Sequence, residues 1–88
     1  MTDLQAKLRV RNDGTSSRVV YIEPWGEDYT LRAGESIEVG ASGKTALPWF
    51  TVVESGGTTQ VYVEGDRAVD FVVSQGGVPV RCGHNRGQ

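Results

Sequence analysis

The sequence predicts an all-β single domain: a β-sandwich of about seven short, mainly antiparallel strands. Three observations carry this. Apolar and polar residues alternate with period two, 12 glycines punctuate the alternating stretches, and no segment of helical period reaches helix length. Short strands of this kind hide their apolar faces by stacking two sheets or closing a small barrel. A chain of 88 residues is long enough for one such core and too short for two.

The elements follow in order. In LQAKLRVRN, from position 4, Leu4, Ala6, Leu8 and Val10 share one face and Gln5, Lys7, Arg9 and Arg11 the other, as in a half-buried strand. NDGTSS (12–17) is a turn, rich in residue types that tolerate left-handed backbone. RVVYIE (18–23) is the second strand, and Pro24, which has no N–H to donate, ends it. Gly26 lets the chain reverse before the short strand YTL (29–31), RAGE (32–35) turns again, and SIEV (36–39) points Ile37 and Val39 inward. The small-residue stretch GASGKTALP (40–48) is expected to change sheets.

From there the pattern reads as a meander: PWFTVVE (48–54), SGG, TTQVYVE (58–64), GDRA, VDFVVS (69–74), QGG and VPVRC (78–82). Glycine-bearing connections this short are hairpin loops, so these four strands are expected side by side and antiparallel. Trp49, Phe50, Val52 and Val53 read as core, and Pro79 requires an edge position for the last strand. The domain is expected over 1–82, with GHNRGQ (83–88) a flexible tail lacking an apolar anchor.

Nine basic and eleven acidic side chains leave a formal charge of −2, which gives no global field for nucleic acid or an anionic membrane. The charges are unevenly placed. Glu23, Glu27, Asp28, Glu35 and Glu38 face only Arg32 across the middle of the chain, whereas Lys7, Arg9, Arg11 and Arg18 outnumber Asp3 and Asp13 before it. The acidic middle either complements the basic first strand within the molecule or offers a surface to a basic partner. A single cysteine, Cys82, excludes an internal disulfide and points to a reducing, cytoplasmic setting. MTDLQAKLRV carries charge where a signal peptide needs an apolar core, and no apolar run is long enough to span a bilayer.

Motifs with chemical content fail on spacing or ligand count. GASGKT ends like a phosphate-binding loop, but Glu38 stands where the first glycine belongs, and ALPWF replaces the helix that would follow. Cys82 and His84 form the only thiol–imidazole pair, and no further Cys or His exists to complete a zinc sphere. As nucleophile and base they lack an orienting acid. The carboxylates show no regular calcium-loop spacing. No catalytic residue, metal or cofactor is therefore assigned, and the expectation is a non-enzymatic protein.

The stretch EPWGED remains. Trp25 and Tyr29 are the residue types that dominate recognition surfaces, and Glu23, Glu27 and Asp28 flank them with acceptors. These five residues are the candidate partner-binding set, for a protein with a basic surface. The opposing reading is that Trp25 folds back as a plug over the open end of the sandwich. Two further readings stand beside these: carbohydrate stacking on Trp25 and Tyr29, and a metal or thiol site at Cys82 and His84. Oligomeric state is open, since an edge strand other than the one with Pro79 can pair with a second copy.

Residues 11–39 resemble small uncharacterised bacterial β-proteins with the pattern E-P-W-G followed by Y-x-L-x-x-G-E. Asn12, Glu23, Pro24, Trp25, Gly26, Tyr29, Leu31, Gly34 and Glu35 carry the likeness, which implies a fold and no activity. A fainter similarity, through Asn12, Ser16 or Ser17, Arg18, Leu31 and Gly34, is to the β-domain of the von Hippel-Lindau tumour suppressor family. The Ser and His that bind peptide in that family have no counterpart in this chain, so hydroxylated-peptide binding is not carried over.

Overall fold

A computed structural model describes residues 3–66 and 69–86. The GDRA turn and the end of the expected tail extend outside them. Among the described residues there are eight strands and no helix: β1 (Leu4–Arg11), β2 (Arg18–Glu23), β3 (Glu27–Leu31), β4 (Ser36–Gly43), β5 (Trp49–Ser55), β6 (Thr58–Glu64), β7 (Asp70–Gln75) and β8 (Val78–Pro79). They form a β-sandwich of two four-stranded sheets, ordered β1-β4-β7-β8 and β3-β2-β6-β5. Every pairing is antiparallel except β2 with β6, which is parallel.

Alternation places the core as expected. Val20, Ile22, Tyr29, Leu31, Val61 and Val63 from one sheet meet Ile37, Val39, Ala41 and Val73 from the other, all buried. Leu8, Val10, Phe50 and Phe71 pack against this cluster at its margins. The register Leu8↔Val39 and Val10↔Ile37 keeps the apolar residues of β1 and β4 on one face, and Arg9 stands opposite Glu38 on the other. Basic first strand and acidic middle therefore meet within the molecule at that position.

Three expectations are corrected. The meander over 48–82 is split: β5 and β6 pair in one sheet, β7 and β8 in the other, and the chain crosses between sheets after β6. The loops differ chemically. SGG and QGG hold glycines at positive φ in tight hairpins, Gly56 at 56° and Gly76 and Gly77 at 60° and 81°. The connection after β6 instead sends Asp66 to the other crossover, where its carboxylate accepts from Thr45 N at 2.8 Å and Thr45 Oγ1 at 2.7 Å. Alternation specifies which face a residue takes but not which sheet its strand joins.

Trp49 is the second correction. It is 56% exposed, and Val52 and Val53 are also exposed, because β5 is an edge strand; Phe50 alone of this group packs on the core. Third, the expected loose tail is tied to β3 over residues 83–86. Gly83 N donates to Asp28 O at 2.7 Å, Thr30 N to His84 O at 2.8 Å, and Tyr29 and His84 form a parallel bridge. The anchor is backbone hydrogen bonding, which needs no apolar side chain and leaves no hydropathy signal. Pro79 sits on an edge strand, as its missing N–H requires.

Candidate functional site

EPWG is the hairpin loop between β2 and β3. Gly26, at φ 72°, supplies the left-handed residue the reversal needs, and its N–H donates to Ile22 O at 2.9 Å. The loop folds Trp25 back over the end of the sandwich, where its ring stacks on Phe71 of β7 with centroids 4.3 Å apart and planes tilted by 35°. Trp25 nevertheless stays 41% exposed. The ring thus rests against Phe71 while a large part of it remains open to water.

Beside this pair lies a shallow cleft of about 400 Å³. Trp25, Glu27 and Tyr29 line it from the loop and β3, Phe71 and Val72 from β7, and Val80, Arg81 and Cys82 from the segment after β8. Of the five residues chosen from sequence, the cleft thus gathers Trp25, Glu27 and Tyr29, while Glu23 and Asp28 are not part of its lining.

Tyr29 is not a surface platform. It is 2% exposed, with its hydroxyl donating to Glu27 Oε1 at 2.8 Å. Burial, and then the Glu27 carboxylate, push its phenol well above its ordinary value near 10. Paired carbohydrate stacking on Trp25 and Tyr29 loses one of its two rings for this reason.

The acidic side chains are largely engaged within the molecule. Glu23 Oε2 accepts from Gln60 Nε2 at 3.4 Å. Asp28 receives both ends of the Arg86 guanidinium, Nε at 3.1 Å and Nη2 closer still, and also accepts from the Cys82 thiol at 3.7 Å. The Arg86 hydrogen bond holds the Asp28 carboxyl below its usual range. Arg86 was invisible to sequence reasoning because the residues around it have no apolar pattern; the missed Phe71 was legible as an inward position of an alternating strand, but not as the seat of Trp25.

Cys82 and His84 lie on either side of Gly83 and take different partners, Asp28 for the thiol and Gln75 Oε1 at 3.0 Å for the imidazole. Among the described residues no group of three His, Cys, Asp or Glu side chains is placed to hold a metal ion. The GKT stretch ends β4 and opens the crossover to β5, with Thr45 bound to Asp66. No helix among the described residues is long and apolar enough to cross a membrane.

Compared with known proteins, the chain matches no family model, no curated protein and no solved structure.

Proposed function

We propose that the protein is a non-enzymatic binding module that holds a protein partner at the cleft beside Trp25. The carrying observation is an indole that is 41% exposed while already stacked on Phe71. A ring fixed before its partner arrives loses little freedom on binding, and a partly exposed tryptophan at a cleft of mixed polar and apolar lining is the kind of group that concentrates binding energy. An apolar side chain of the partner enters against Trp25, Phe71 and Val80. A basic group beside it faces Glu27 and Asp70, the latter lining the cleft at the start of β7. Asp28 contributes less than its charge implies, since Arg86 already holds it.

Affinity capture tests this. The parent chain retains a protein that Trp25→Ala loses and Trp49→Ala keeps, and salt weakens the complex less than loss of Trp25 does. Identical capture by parent and Trp25→Ala rejects the reading, as does capture of nothing by either.

A further inference from the structure

We propose that the chain forms a closed homodimer in which β5 pairs antiparallel with β5 of a second copy, joining two four-stranded sheets into one of eight. The sandwich presents four sheet edges, and three are defended against pairing. β8 is two residues long and contains Pro79. β3 is covered by the segment 83–86, which already takes the hydrogen bonds at Asp28 O and Thr30 N. β1 carries Lys7, Arg9 and Arg11 on one face, and an antiparallel second copy would set these like charges against one another.

β5 carries none of these defences. Its sequence, WFTVVES, has neither proline nor a basic residue, and its one carboxylate, Glu54, lies 3.8 Å from Arg18. Trp49, Val52 and Val53 are exposed along it, with no described residue paired to its outer edge.

The strand is also complementary to itself. With the two-fold axis at Thr51, Thr51 faces Thr51 of the second copy, Phe50 faces Val52, and Trp49 faces Val53. Aromatic–β-branched pairs are among the combinations that stabilise antiparallel strands, and the Thr51 pair adds methyl contact, its hydroxyls being donated to Glu64 Oε2 at 2.8 Å within each copy. Residues directly opposite share a face, so Phe50 and Val52 of both copies extend the inner apolar surface, and Trp49 and Val53 the outer one. Glu54 falls opposite Pro48, so no like charges meet. Moving the axis to Val52 sets Phe50 against Glu54 and loses this match. A ladder of five residues is smaller than the roughly 800 Å² per partner of a standard interface, so the dimer dissociates on dilution.

Two measurements test the proposal. In sedimentation equilibrium the parent's average mass rises with concentration from 9.5 kDa towards twice that value and stops there, while Val52→Lys stays at 9.5 kDa with an unchanged circular dichroism spectrum. In a Cys82→Ser background, mild oxidation cross-links Thr51→Cys into dimers at least about tenfold faster than Val53→Cys, because only the axial residue meets its own copy within disulfide reach. A parent that stays monomeric up to millimolar concentration overturns the proposal. So do equal cross-linking at the two positions, preferential cross-linking at Val53→Cys, and growth beyond two copies.

Discussion

Asn12 shows how much one polar side chain can hold. It is 3% exposed; its amide donates to Ser16 O at 2.9 Å and Leu31 O at 3.0 Å, and its side-chain oxygen accepts from Gly14 N at 3.0 Å. Its backbone bonds Glu35 and Gly34, so the β1–β2 and β3–β4 crossovers are fastened through a single residue. Asn12→Ala strands the buried Leu31 carbonyl and should cost about 2 to 3 kcal/mol in urea unfolding. Trp25 sits between extremes. A fully buried tryptophan costs roughly 3 to 5 kcal/mol on truncation and a free surface one under about 0.5. With one face on Phe71, Trp25→Ala should cost about 1 to 2 kcal/mol, from partial burial and the ring pair. A value at either extreme would remove one half of its double role. The residues that carry the E-P-W-G pattern mostly have such folding tasks: Leu31 and Tyr29 in the core, Gly26 and Gly34 at positive φ, and Glu35 accepting from Arg32 N at 2.7 Å.

At the scale of elements, strand positions and inward faces were legible because alternation records burial directly, as in Leu8, Val10, Ile37 and Val39. Sheet membership was not. The chain after Glu64 crosses to the other sheet rather than turning back as a hairpin, and there Asp66 bonds Thr45, a contact 21 residues away that no local pattern encodes. For the same reason β5 read as core, since apolar content cannot tell an edge strand from a central one. The candidate site was half legible: the Trp25 loop stands out in the sequence, but Tyr29 joins the core between the two sheets, and Asp28 is captured by Arg86 from the docked segment 83–86. The crossover after β4 is tight enough to test. A Cβ at Gly43 would run into the Ala46 carbonyl oxygen, which is backbone and cannot swing aside, and Asp66 pins the same loop at Thr45. Gly43→Ala should therefore cost about 1 to 3 kcal/mol by overpacking, and Asp66→Ala in the same chain should reduce that penalty by letting the loop give.

At the scale of the whole molecule, both edges of β3 are occupied, by β2 and by the segment 83–86, and two groups on that strand, Asp28 and Tyr29, tie its contacts to pH from opposite sides. Asp28 has its carboxyl lowered below 3.8 by the Arg86 hydrogen bond. The unfolded chain takes up the proton first as pH falls, so this stabilisation is present above 3.8 and is lost as pH falls through the lower native value. Tyr29 behaves in the opposite sense, with a native value raised above 10 by burial and Glu27. The unfolded chain releases its proton first on the alkaline side, so that stabilisation is complete below 10 and declines as pH rises past it towards the native value. Urea midpoints across the pH range test both limbs with two variants. Arg86→Gln lowers stability at neutral pH, and its deficit against the parent narrows on acidification below 3.8, because the parent then loses what the variant never had. Tyr29→Phe loses the Glu27 hydrogen bond at neutral pH, yet its stability falls less steeply than the parent's above pH 10. Profiles that stay parallel to the parent at both ends would mean that neither group couples to unfolding, and that the contacts of Asp28 with Arg86 and of Tyr29 with Glu27 do not persist in solution.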